Sequence, residues 1–120
     1  MAATGLTLDE MSGSRVTGHL DLDASHHTPF GIVHGGVYAA AVETAASVGA
    51  SLFAARRGQH AVGVHNATDF LRGTSGGRAE LEAVPLQQGR VQQLWLVTVT
   101  DSDGRALARG QVRLQNVDPR

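Results

Sequence analysis

Apolar and polar positions alternate along residues 15–22, where Val16, Leu20 and Leu22 share one parity and polar side chains largely take the other. That period of two predicts a strand. Residues 23–34 follow neither period and are rich in Ser, His, Thr, Pro and Gly, which predicts a loop. Gly35 and Gly36 then open an apolar stretch that is too long for a strand and full of alanine, the best helix former. A helix is predicted from about Gly36 to about Arg56, stopping at Arg56-Arg57-Gly58, where cations and a glycine suit a helix C-terminus. Residues 61–70, 78–86, 91–100 and 105–114 read as strands, separated by the turn sequences G-T-S-G-G, Q-Q-G and D-S-D-G. Connectors that short make at least the last three strands antiparallel neighbours. The order strand, loop, long helix, four strands predicts an α+β layout with the helix on one face of an antiparallel sheet.

Within residues 91–100 both parities are apolar: Val91, Trp95, Val97 and Val99 on one, Leu94 and Leu96 on the other. A sheet with one wet face does not do this. One face can cover the chain's own helix; the other calls for a partner surface or an overhanging loop.

Composition narrows the class. The 120 residues suit a single domain spanning 1–120 and are too few for two cores. A net charge of -1 supplies no field for nucleic acid or anionic lipid, so neither is an expected partner. Without cysteine there is no disulfide, thiolate metal site or cysteine nucleophile, and the N-terminus lacks the basic-then-apolar layout of an export signal, so a cytoplasmic location is expected. Residues 37–55 approach the length of a bilayer span, but they are mainly alanine and carry Glu43 near the middle, which reads as a buried helix and not a membrane one.

Glu43 is the only charged side chain between His34 and Arg56. On a largely buried helix an uncompensated carboxylate is costly, so it lies at the helix edge, pairs with an arginine from the sheet, or is functional. Its own face favours function: Ser47 lies one turn later, and Gly36, Ala39 and Ala40 precede it, small groups that leave room for a ligand. Val33-His34-Gly35-Gly36 adds backbone N–H groups at a helix start, which lack internal partners and can hold an oxygen that becomes negative.

These residues carry a family likeness. The segment G-I-V-H-G-G-V-Y-A-A-A-V-E-T-A-A-S resembles the central motif of hotdog-fold thioesterases, in the branch acting on phenylacetate-pathway, 4-hydroxybenzoyl-CoA and dihydroxynaphthoyl-CoA thioesters. V-G-V-H-N-A-T-D-F-L-R, Q-Q-L-W and D-G-R extend it over nearly everything from Gly31 onward. The resemblance implies a long central helix wrapped by an antiparallel sheet, and hydrolysis of an acyl-CoA with an aromatic or otherwise bulky acyl group. It makes Glu43 the catalytic carboxylate, as nucleophile or general base, Gly35 the backbone donor to the thioester carbonyl, His34 a neighbouring site-shaping residue and Ser47 an aid to the carboxylate. Gly36 and Thr28 would border the substrate.

Where several members carry a glutamine six residues before the histidine, this chain has Thr28, preceded by His26 and His27; either Thr28 or His27 replaces that donor, or it is absent. The family's architecture implies a dimer with Glu43 of one chain facing His34-Gly35 of the other, commonly doubled to a tetramer, with no metal and no cofactor. Arg72 is the leading candidate for the coenzyme A phosphates, ahead of Arg57 and Arg90, with ordinary surface charge as the competing reading. Asn66 and Thr68 share a strand parity leading to Arg72 and either line the pantetheine path or support the sheet. Two other functions fit the fold: an enoyl-thioester hydratase or dehydratase pairing His27 or His34 with Glu43, and a non-catalytic acyl-CoA binding module.

Overall fold

The computed structural model describes residues 5–119. Strands β1 (Leu6–Met11) and β2 (Val16–Leu22) form a hairpin, a loop holding a short 3-10 turn (Ala24–His26) leads to helix α1 (Gly35–Ala54), and β3 (His60–Phe70), β4 (Gly77–Gln88), β5 (Gln92–Thr100) and β6 (Ala106–Val117) follow. They make one 6-stranded sheet in the order β1-β2-β4-β5-β6-β3, every pairing antiparallel. A long helix packed on such a sheet is the hotdog arrangement. The structure adds β1, which the alternation did not reveal: its pairing with β2 shifts register between Leu8 and Glu10, and of its residues only Leu6 is buried. A bulge breaks the period of two on which strand recognition depends.

Helix α1 buries Tyr38, Ala41, Val42, Ala45, Ala46, Gly49, Ala50 and Ala54, a stripe at intervals of three and four. Its small side chains let the helix axis sit close to the sheet. The length and hydropathy of residues 35–57 would also suit a membrane span, but here the stripe is covered by the sheet. Helix and following 3-10 turn end at Gly58, whose φ of 69° is the left-handed conformation that glycine adopts freely.

Trp95 on β5 fills the space that Gly49 opens: a Cβ at Gly49 would lie 2.4 Å from Trp95 Cη2. The indole N–H donates to Gln93 Oε1 (2.9 Å), and Gln93 Nε2 donates to Ala50 O (2.9 Å) and to Asn116 Oδ1 (2.8 Å). A buried amide is thereby satisfied between helix and sheet. On β5, Trp95, Val97 and Val99 face the helix, while Leu94 and Leu96 lie half-buried on the opposite face, Leu96 beside Val84 of β4. Val91, grouped by parity with the buried set, precedes the strand in the turn and is 53% exposed.

Candidate active site

Glu43 points from α1 toward β3, the strand at the sheet edge. Two side chains donate to it there. Ser47, one helical turn on, donates its hydroxyl to Glu43 Oε2 (3.3 Å), and Asn66 Nδ2 donates to Glu43 Oε1 (3.3 Å) and to the carbonyl of Ala39 (3.2 Å). Thr68 Oγ1 donates to Asn66 Oδ1 at 2.6 Å. The two acceptors set the orientation of the amide: flipped, Asn66 would turn its oxygen toward a carbonyl and a carboxylate. Glu43, Ser47, Asn66 and Thr68 are all half-buried.

Gly63 closes the arrangement from below. A Cβ there would stand 2.4 Å from Glu43 Oε2. Simple alternation would turn Asn66 and Gly63 to opposite faces, since three positions separate them. The β3–β6 register shifts between Gly63 and His65, and this bulge at Val64 brings both residues to the helix side, opposite Leu114 and Val112 of β6. The carboxylate is thus held by an amide on one oxygen, with a bare glycine against the other.

The second half of the site lies at the start of α1. His34 is the N-cap: its Nδ1 accepts the Gly36 N–H at 2.9 Å and its carbonyl accepts the Val37 N–H at 3.0 Å. With Nδ1 accepting, the neutral ring carries its proton on Nε2. Among the described residues no acceptor takes the Gly35 N–H. One donor at the positive end of the helix is thereby left for an anionic or polarised oxygen. A cavity of about 300 Å³ opens beside it, lined by Thr28, Ile32, Val33, Gly35, Tyr38, Phe70, Leu71, Arg72 and Gly73. The Phe70 ring, 58% exposed, lies against Gly35, where a Cβ would come within 3.0 Å of Phe70 Cζ.

The expected residues therefore separate into two groups along the helix. Glu43, Ser47, Asn66 and Thr68 stand together, and Gly35, Thr28 and Arg72 line the cavity, with His34 capping the helix next to Gly35. Asn66 directs its amide to the carboxylate and to the Ala39 carbonyl, and Thr68 donates to Asn66. Thr28 borders the cavity with its Oγ1 accepting the Phe30 N–H (3.2 Å), whereas the His27 ring is turned to the Ser75 carbonyl. Gly36 cannot offer its N–H, because His34 occupies it. Of the three arginines, only Arg72 is at the cavity; Arg57 ends the helix and Arg90 lies in the β4–β5 turn.

Sequence reasoning passed over Gly63, although an isolated glycine in a strand pattern signals close approach. It also passed over Tyr38, which is 3% exposed with a buried hydroxyl that no described group satisfies. Such an orphan costs about 1–3 kcal/mol. Burial also pushes the Tyr38 phenol up from its ordinary value, so it stays protonated and a donor.

Comparison with known proteins agrees with this geometry. A family model described as the thioesterase superfamily matches residues 30–108. A proofreading thioesterase of Klebsiella pneumoniae is 33% identical over 105 residues, covering 88% of this chain and 76% of its own. The solved structure of a Mycobacterium tuberculosis protein named as an esterase superposes with a TM-score of 0.96 at 44% identity, over 99% of this chain and 96% of that one. The crystal structure of AziG from S. sahachiroi gives a TM-score of 0.92 at 37% identity, over 97% of this chain and 94% of that one. A buried helix wrapped by an antiparallel sheet, a carboxylate on that helix, a free N–H at its start and these relatives lead to one assignment: the chain belongs to the thioesterase superfamily, hotdog-fold enzymes that hydrolyse thioesters.

Proposed function

We propose that this thioesterase acts on an acyl-coenzyme A with a small aromatic or otherwise bulky acyl group, using Glu43 as nucleophile or as general base toward water. The observation that carries the reading is the Glu43 carboxylate, tied by Asn66 and Ser47 and seated against Gly63. A charge kept half-buried in an alanine helix, with an amide oriented to serve it and a glycine reserved for its oxygen, suits a reacting group better than a structural one. The Gly35 N–H supplies the donor for the thioester oxygen as it becomes negative. The cavity beside it, walled by Ile32, Val33, Phe70 and Leu71, suits a bulky apolar acyl group, and Arg72 at its edge is placed to meet a phosphate.

Gly35 and Glu43 are eight residues apart on one helix, about 12 Å along its axis, too far for a single carbonyl to touch both. A second copy removes the difficulty. Among the described residues, strand β3 has a neighbour only on its β6 side, and an edge of this length invites pairing. The helix midpoint between the two groups is Ala39, whose carbonyl is bonded to Asn66 near the middle of β3. A two-fold axis through the middle of β3 therefore carries Gly35 of one copy toward Glu43 of the other. In this dimer each site is shared, and Leu94, Leu96 and Val84 on the outer sheet face are left to join dimers into a tetramer.

A hydratase would pair a histidine with Glu43, whereas the Glu43 carboxylate takes its hydrogen bonds from Ser47 and Asn66, His34 Nδ1 caps the helix and His27 Nε2 meets the Ser75 carbonyl. The test is a thiol-release assay over benzoyl-, short-chain and long-chain acyl-CoAs, with enoyl-CoA hydration measured in parallel. Release of free coenzyme A, fastest with the aromatic thioester, is expected; hydration alone, or binding without thiol release, overturns the proposal. Replacement of Gly63 by Ala is a sharper probe. The strand accepts alanine, so melting should stay within a few degrees, but the new methyl must displace the carboxylate, and turnover should fall at least about tenfold. Unchanged turnover in Gly63→Ala would show that the position of Oε2 does not matter.

A further inference from the structure

Strand β3 serves both halves of the site. Asn66, Thr68 and Phe70 share the parity that faces the helix, and while Asn66 reaches Glu43, Phe70 stands four residues on, about 13 Å along the strand. That step matches the distance from Glu43 back to Gly35, so the Phe70 ring ends at the helix start. Its tip occupies the place where a side chain at Gly35 would begin: Cζ, Cε1 and Cε2 would lie 3.0, 3.1 and 3.2 Å from a Cβ there. A Cα–Cβ bond leans toward the helix N-terminus, the direction in which the first N–H groups also point, so the ring flanks the Gly35 N–H. Gly35 has no positive φ, so room for this ring, and not backbone freedom, is what its missing Cβ supplies. The core does not account for the ring either, because Phe70 is more than half exposed.

We infer that Phe70 is a positioning residue that acts through Gly35: one side of its ring keeps bulk water off the Gly35 N–H and leaves the thioester oxygen a single direction of approach to it. The inference rests on the proposed thioesterase reading and deepens it by giving the oxyanion donor its shield. A hydrogen bond to an oxygen that becomes negative is worth far more where water is excluded, since no solvent competes for the donor and the local dielectric is low. The strand end that carries the ring is anchored, with the Leu71 and Arg72 N–H groups both donating to the Leu107 carbonyl (2.9 and 3.3 Å). Every thioester has the reacting oxygen, whatever its acyl group. The contribution of the ring is therefore expected in kcat and independent of acyl size.

The test measures kcat and KM for benzoyl-CoA and butanoyl-CoA in the wild type, Phe70→Ala, Phe70→Leu, Gly35→Ala and the double variant Gly35→Ala/Phe70→Ala, with the mass of each protein in solution. Phe70→Ala is expected to lower kcat at least about tenfold, by the same factor for each thioester that the wild type hydrolyses, with KM changed less than about threefold. Phe70→Leu, which keeps an apolar cover, should recover most of that loss. In Gly35→Ala the new methyl must push the ring away, so adding Phe70→Ala should cost less than about twofold more. A raised KM with kcat preserved, or a loss confined to benzoyl-CoA, makes the ring an acyl contact only and overturns the inference. Additive losses in the double variant overturn it too, as does a kcat loss that accompanies loss of the dimer mass in both Phe70 variants. If the wild type releases thiol from neither thioester, the coenzyme A reading fails, and this inference with it. Thiol release by the wild type with kcat intact in Phe70→Ala removes the Phe70 role alone.

Discussion

Replacing Glu43 by glutamine is expected to lower steady-state thiol release by at least about a thousandfold, within the range assigned to a single acid–base or nucleophilic group, while leaving the fold intact. The substitution is nearly isosteric, and its surroundings can accept it. Asn66 Nδ2, which donates to Oε1, can donate equally to an amide oxygen, and the Ser47 hydroxyl, which donates to Oε2, can turn to accept from the amide nitrogen. What is lost is the negative charge and the lone pair that attacks carbon or takes a proton from water. Removing a half-buried charge relieves desolvation, so the melting temperature should hold or rise. The measurement is single-turnover and steady-state thiol release beside a thermal melt. More than a tenth of wild-type activity in a folded Glu43→Gln protein would remove Glu43 from the mechanism and leave only the family assignment.

The largest effect on stability is expected at Trp95. It is 0% exposed and packs its ring against Gly49 of the helix. Truncation to alanine removes a large buried ring and leaves a cavity whose walls are fixed by a helix backbone on one side and paired strands on the other, so collapse can recover little. Substitutions of this kind cost about 3–5 kcal/mol, and Gln93 Oε1 loses its indole donor as well. For a chain of this size that corresponds to a melting temperature lowered on the order of 10–20 °C. A drop below about 5 °C would mean that the helix settles into the void, and that the seat of α1 depends less on this contact than the packing indicates.

Much of the frame was readable along the chain. The alanine-rich run could only be a helix, the turn sequences between the last strands allowed only antiparallel neighbours, and Glu43 stood out as an isolated charge in an apolar stretch. These features are local, and local periods survive in a single sequence. Strand β1 did not survive, because its bulge disrupts the alternation that would have marked it. The shared parity of Asn66 and Thr68 was visible in the sequence, and the bulge at Val64 that turns Gly63 to the same face was not.

By itself the sequence determined the elements, their order and the chemistry of the central helix, since hydrophobic period, turn residues and a lone carboxylate are properties of neighbours in the chain. Only the tertiary structure decided what Glu43 touches. The Asn66 amide, the bare edge of Gly63 and the Phe70 ring against Gly35 become meaningful when β3 folds back beside α1. Hydrogen bonds and close contacts depend on distances between residues far apart in the chain, and those distances are set by sheet register and helix seating, which no local pattern encodes.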